Sequence, residues 1–288
     1  MPYKNADSLV SCEWLQDHLK DENLRILDAS FHLPQANRNA AQDWAARHIP
    51  GSVYIDINEV ADRSPPLPHM LPDEHDFGAA MGALGISNLH KVIVYDSNGG
   101  HMAACRMWWM LRCFGHRNCA VLNGGLVRWD AQNRPTDAKV PTHAPESCTP
   151  HIHPELIKTK AQMLANIKNQ NFQVLDARSP GRFHGVDPEP RPTKHVGHIP
   201  GSINVPFASL MQADQDFTFK PADELKAVFT AAKVDLNQPT VHSCGSGVTA
   251  CVSAFALHLL GYNDFAIYDG SWAEWGNDDN VPIEGPGS

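Results

Sequence analysis

The chain of 288 residues repeats itself once, at an offset of about 150 residues. Ile26-Leu27-Asp28-Ala29-Ser30 is answered by Val174-Leu175-Asp176-Ala177-Arg178, and His48-Ile49-Pro50-Gly51-Ser52 returns unchanged as His198-Ile199-Pro200-Gly201-Ser202. Val92-Ile93-Val94-Tyr95-Asp96 lines up with Thr240-Val241-His242-Ser243-Cys244. Leu122-Asn123-Gly124-Gly125, then Trp129, matches Tyr268-Asp269-Gly270-Ser271, then Trp275. Blocks in one order at near-constant spacing describe a duplicated domain; a solenoid would show a shorter period and more copies. Each copy is long enough to bury a core of its own.

Within each copy, short Val/Ile-rich runs alternate with helical patterns. Arg25–Leu27, Val92–Tyr95, Gln173–Leu175 and Thr240–Ser243 read as buried parallel strands. Val10–Asp21, Ala104–Phe114, Thr159–Ile167 and Val248–Leu260 read as helices. Thr159 with Gln162 forms a capping-box signature, and Gly115 and Gly261 stand where a helix end wants a left-handed residue. The expected class is α/β, with a central, mostly parallel sheet flanked by helices, present twice in tandem. Residues 1–131 and 155–288 form the two domains in this reading. The aperiodic stretch 132–154 is their linker, and Asn277–Ser288 is a surface extension.

Charge and cysteine usage narrow the partners. With 23 basic against 32 acidic residues the formal charge is −9, and the basic residues are scattered. Nucleic acid and anionic membrane are therefore not expected as partners, because phosphate binding needs a basic field. No run approaches the ~20 apolar residues of a membrane span, and the first residues lack a signal-peptide pattern. The seven cysteines contain no Cys-x-x-Cys pair. Neither a disulfide framework nor a structural zinc site fits, and a reducing, cytoplasmic location is expected.

The copies differ most after the strand Thr240–Ser243. There the second copy reads Cys244-Gly245-Ser246-Gly247-Val248-Thr249-Ala250 and continues as a helix. Glycines and a serine between strand and helix make a tight loop whose inward amides bind anions. A cysteine at its mouth is expected to have a lowered pKa and act as a nucleophile; the bland alternative is a buried structural thiol. The first copy has Asp96 at this position, followed by Ser97-Asn98-Gly99-Gly100-His101, and is expected to be catalytically silent.

The paired His-Ile-Pro-Gly blocks, the duplication and the Cys244–Thr249 loop resemble the two-domain rhodanese family over nearly the whole chain. Within it the loop is similar to that of members using 3-mercaptopyruvate. Thiosulfate-specific members carry Arg and Lys where this chain has Gly245 and Ser246. The resemblance implies a sulfurtransferase that takes sulfur from 3-mercaptopyruvate onto Cys244 as a persulfide, releases pyruvate, and passes the sulfur to a thiol acceptor or cyanide. The acceptor is left open among thioredoxin, glutathione or another low-molecular-weight thiol, and a protein cysteine, and neither metal nor organic cofactor is implied. Arg182 and Arg191 match the family's carboxylate-binding arginines, a role suited to a planar bidentate donor. Gly245, Gly247, Val248 and Thr249 would complete the substrate cradle. His69, within Ser64–Pro72, matches a histidine brought across the domain interface to form a proton relay with Ser246. Where some members have an acid to orient that histidine, this chain has Asn58, with Asp62 as the substitute.

Other candidates read as packing: His242 and Ser243 on a buried strand, Cys251 on a helix, Trp108 and Trp109 in a helix core or interface. Cys105, Cys113 and Cys119 lack ligand spacing, and no P-loop or Gly-x-Gly-x-x-Gly fingerprint occurs. A cysteine phosphatase loop would need an arginine where Ala250 stands. A thiosulfate:cyanide sulfurtransferase and a non-catalytic rhodanese-like binding module remain the alternatives.

Overall fold

The computed structural model describes residues 2–99 and 101–286; Met1, Gly100, Gly287 and Ser288 lie outside the described residues. Two five-stranded sheets follow the chain. The first comprises β1 (Leu9–Val10), β2 (Leu24–Asp28), β3 (Ser52–Tyr54), β4 (Lys91–Tyr95) and β5 (Cys119–Leu122), in the order β1-β5-β4-β2-β3. The second comprises β6 (Ile157–Lys158), β7 (Gln173–Asp176), β8 (Ile203–Asn204), β11 (Thr240–Ser243) and β12 (Phe265–Tyr268), in the order β6-β12-β11-β7-β8. Every pairing in both sheets is parallel, and the two orders are the same topology twice. A small antiparallel ribbon of β9 (Met211–Gln212) and β10 (Thr218–Phe219) is added in the second copy.

The strands form where apolar runs are buried on both faces. Ile26 pairs with Ile93, and Val94 with Val121, in a sheet whose central strand is buried along Val92–Tyr95. Each expected strand appears, three of them extended by a residue at one or both ends. Two expected helices are shorter: Val248–Leu260 is helical over Ala250–Leu259, and Val10–Asp21 over Cys12–His18. Val10 belongs to edge strand β1, and Ser11 caps a helix of Cys12–His18 by accepting from the Trp14 amide. The Thr159–Gln162 capping box is present, and Gly115 and Gly261 take φ of +83° and +91° at helix ends.

Helices Met102–Cys113 and Ala250–Leu259, which follow the two equivalent central strands, pack against each other between the sheets. All ten residues of the second are buried, as its apolar surface on every side requires. Trp108 meets Phe255 edge to face with ring centroids 4.7 Å apart. One apolar core therefore runs from Leu27 and Val94 of the first copy through these helices to Leu175 and Ile267 of the second.

The two segments read as linker and tail perform one structural task in each copy. Asp137 makes a two-bond bridge with His48, and Glu284 makes the same bridge with His198, so each chain segment closes over its His-Ile-Pro-Gly turn. The described part of the expected surface extension Asn277–Ser288, residues 277–286, is thus not loose. Val281 is buried and Pro282 O accepts from Trp275 Nε1 at 2.9 Å. Residues 145–150 of the linker lie along helix Glu74–Ala83, where a Cβ on Gly82 would stand 2.4 Å from Glu146 O. The repeated histidines are structural: His48 Nδ1 lies 2.7 Å from Trp44 O and His198 Nδ1 2.9 Å from Phe183 O.

Candidate active site

Strand β11 delivers Cys244 to the carboxyl end of the second sheet, at the floor of a cavity of about 500 Å³. Gly245, Ser246, Val248 and Thr249 line it with Arg182 and Pro190, and Phe31, His32, Arg38, Asn98 and Met102 close it from the first copy. Cys244 is 2% exposed.

The loop is held in shape from below. Ser271 Oγ accepts from the amides of Cys244 and Gly247 at 3.2 and 3.1 Å while donating to Tyr268 O. The Trp272 and Ala273 amides donate to Cys244 O and Gly245 O, each at 2.9 Å. Gly247, expected as a substrate ligand, is instead tied to the scaffold beneath the loop. Its amide is spent on Ser271, it does not line the cavity, and its φ of +74° serves the turn. Among the described residues, no hydrogen bond engages the amides of Gly245, Ser246, Val248 or Thr249, which remain as donors around Cys244.

Of the two arginines, Arg182 lines the cavity and is held there by a buried scaffold. Arg178, fully buried, is forked to Asp176 on strand β7 and gives Nη1 to Glu189 Oε1 at 2.7 Å. The other oxygen of Glu189 accepts from Arg182 Nε at 3.0 Å and from Arg182 Nη2. Glu189, which sequence reading passed over between two prolines, thus aims Arg182 at the cavity. A Cβ on Gly245 would lie 2.7 Å from Arg182 Nη2, so the missing side chain makes room for the guanidinium. Burial lowers the pKa of Arg191 from its ordinary value, opposed by attraction to Cys244. Its Nη2 lies 3.0 Å from His69 Nε2.

His69 does come across the interface, but its expected partners do not meet it. Asn58 Nδ2 donates to Asp56 Oδ1, and Asp62 Oδ1 accepts from the Ser64 amide; neither touches the imidazole. Asn58 and Asp62 are therefore not its orienting residues, each being engaged by its own local turn. No hydrogen bond joins His69 to Ser246, and His69 Nδ1 is buried without a partner. Phe31 packs edge-on against the ring at 5.0 Å. Burial first, then the Arg191 and Arg106 charges, push the His69 pKa down to about 3, so the ring is neutral at ordinary pH.

Arg106 and Asp269 were also invisible from motif reading. Arg106 Nη1 donates to Asp269 Oδ1 at 2.6 Å and to Gly247 O at 3.2 Å, and Nη2 donates to His69 O. A signal for Asp269 alone lay in the aligned repeat, where it faces Asn123.

In the first copy the equivalent position is filled from within. Asp96 Oδ2 accepts from the Ala103 and Ala104 amides at 3.0 Å each, occupying the helix terminus that an external anion would use. Burial raises its pKa to about 6. Phe217 of the second copy covers Gly99, where a Cβ would stand 2.6 Å from its ring.

Of the other cysteines, Cys12, Cys105, Cys113, Cys119 and Cys251 are buried, and burial raises all five thiol pKa values. Among the described residues one group has metal-ligand spacing, Asp73, His75 and Asp76; all three are exposed and outside the cavity. No helix of the described residues is long and apolar enough to cross a membrane.

Comparison with known proteins agrees with this architecture. The Rhodanese-like domain family matches twice, over residues 11–132 and 159–278. The human 3-mercaptopyruvate sulfurtransferase is 41% identical over 273 residues, covering 93% of this chain and 91% of that protein. The rat thiosulfate sulfurtransferase is 42% identical over 274 residues, with the same coverage. The crystal structure of SseA from Escherichia coli, a 3-mercaptopyruvate sulfotransferase, superposes with a TM-score of 0.84 at 36% identity. It covers 92% of this chain and 98% of that one. The chain belongs to the rhodanese family and consists of two rhodanese-like domains in tandem.

Proposed function

We propose that this protein is a sulfurtransferase acting on 3-mercaptopyruvate, with Cys244 as nucleophile. The observation carrying this reading is that Cys244 and Arg182 line one cavity, with Arg191 close enough for a Cys244 thiolate to steady its charge. The donor's carboxylate docks between the two guanidiniums, which sets its sulfur over Cys244. The thiolate attacks that sulfur, the carbon–sulfur bond breaks, and its electron pair leaves on carbon as the pyruvate enolate. A proton then completes pyruvate, and Cys244 retains the transferred sulfur as a persulfide. The free amides of the loop stabilise the anionic sulfur as an oxyanion hole stabilises oxygen. An incoming carboxylate competes for the Arg191 N–H that now rests on His69, freeing Nε2 for proton exchange with Ser246 and the donor. A thiol acceptor or cyanide removes the outer sulfur. The first domain, with Asp96 self-capped and Phe217 against it, shapes the cavity without a nucleophile.

Thiosulfate is the second reading, favoured by the relatives that bear that name. Against it stands the neutral Gly245-Ser246 pair, which offers no added cations to a doubly charged inorganic donor. Thiocyanate formation from each donor with cyanide separates the readings. A kcat/KM at least about tenfold higher for 3-mercaptopyruvate, with pyruvate released, is expected. A preference for thiosulfate would overturn the donor assignment and keep Cys244.

A further inference from the structure

His69 is held in a left-handed backbone conformation, φ +63°, which is strained for a non-glycine residue and needs outside support. The support is one buried ion pair between the domains. Arg106, on helix Met102–Cys113 of the first domain and fully buried, donates to the carbonyl of His69. Asp269, at the end of strand β12 in the second domain, accepts the Leu71 amide on its other oxygen at 2.7 Å. The pair thus grips the chain at the carbonyl of the histidine itself and at the amide two residues on. The same Arg106 donates to Gly247 O, inside the Cys244 loop, at 3.2 Å. A Cβ on Gly247 would stand 2.9 Å from Asp269 Oδ1 and 3.0 Å from Arg106 Nη1, so loop and ion pair are in direct contact. Trp109 stacks under the guanidinium at 4.5 Å and fixes its plane.

We infer that the Arg106–Asp269 pair is the positioning device that sets His69 against the Cys244 loop, taking the place of a carboxylate on the imidazole itself. The inference rests on the sulfur-transfer reading above. Arg106 reaches no substrate; it acts through His69, and its bond to Gly247 O sets where the histidine stands against the loop. The fork matters as much as the charge, because one ammonium cannot serve Asp269, Gly247 O and His69 O together.

The test is a double-mutant cycle on pyruvate release. Arg106→Lys is expected to lower kcat about 10- to 100-fold, the usual consequence of misplacing a group by about 1 Å. KM for 3-mercaptopyruvate is expected to change less than about threefold. In a His69→Ala background the same substitution is expected to cost less than about threefold, since the group being positioned is gone. An equal loss in both backgrounds would mean a merely structural role and overturn the inference. If Arg106→Lys does not fold, Arg106→Met with Asp269→Leu replaces both buried charges by apolar volume and is read the same way. Wild-type protein releasing no pyruvate would overturn the donor assignment and this inference with it. Wild-type release with Arg106→Lys at full rate would overturn the positioning role alone.

Discussion

Arg191 of the second domain donates to His69 of the first, Nη2 to Nε2, at 3.0 Å. The contact links the two halves of the proposed chemistry, because one residue binds the donor's carboxylate and the other exchanges its proton. Burial keeps the imidazole neutral, so Nε2 can accept from the guanidinium.

Substitution of the two arginines therefore has different signatures. Arg182→Ala removes a carboxylate ligand alone and is expected to raise KM for 3-mercaptopyruvate about tenfold or more, the value of a charge-assisted hydrogen bond. Arg191→Ala is expected to raise KM similarly and also to lower kcat, since His69 loses its neighbour. Steady-state kinetics of pyruvate release check this; equal effects of the two on kcat would contradict it.

Glu189 aims Arg182 while sharing its other oxygen with buried Arg178. Glu189→Gln leaves Arg178 with Asp176 but weakens both bonds. It is expected to destabilise the fold by about 1–3 kcal/mol and to raise KM with little change in kcat. Urea unfolding and kinetics together test it; a variant as stable and as tight-binding as wild type would remove Glu189 from the account.

A side chain at Gly245 must displace the Arg182 guanidinium, 2.7 Å from where its Cβ would be. Gly245→Arg with Ser246→Lys is expected to shift the kcat/KM ratio toward thiosulfate by about 100-fold, by repelling one donor site and adding cations for the other. An unchanged ratio would show that the loop does not choose the donor.

Much of this was legible in the chain because it depends on local pattern. The Thr159 capping box, the glycines at helix ends and the apolar runs of β4 and β11 are short-range signals, and duplication reports them twice. The cavity residues Cys244, Gly245, Ser246, Val248, Thr249 and Arg182 sit in recognisable segments. What escaped is long-range. Arg106 lies in a helix between apolar residues, and only packing against the other domain gives it Asp269, Gly247 and His69 as partners. The expected roles of Asn58 and Asp62 failed for the converse reason: each hydrogen-bonds within its own turn and makes no hydrogen bond to His69. The tail's role was hidden because it is a single strand-like bridge, too short to leave a periodicity.

Four buried histidines make stability acid-sensitive. Burial lowers the pKa of His69 and His242 to about 3 and of His101 and His258 to about 4. The unfolded chain takes up protons there below about pH 6.5, before the folded one does. Stability is thus complete above that pH and declines as pH falls toward the folded values. Asp96 acts in the opposite sense. Its pKa is raised to about 6, so its contribution is present at low pH and lost as pH rises through that value. The histidines outnumber it. Urea unfolding is expected to show at least ~2 kcal/mol less stability at about pH 5 than at about pH 7.5, the linkage for one such group. Equal stability would contradict the neutral, buried state of these rings.

The most direct test of the account is to treat the protein with 3-mercaptopyruvate without acceptor, then measure intact mass and released pyruvate. The expected result is one added sulfur per chain, mapped to Cys244, with one pyruvate released for each, and neither in Cys244→Ser. Sulfur carried on another cysteine, or pyruvate released at the wild-type rate by Cys244→Ser, would contradict the proposed role of Cys244.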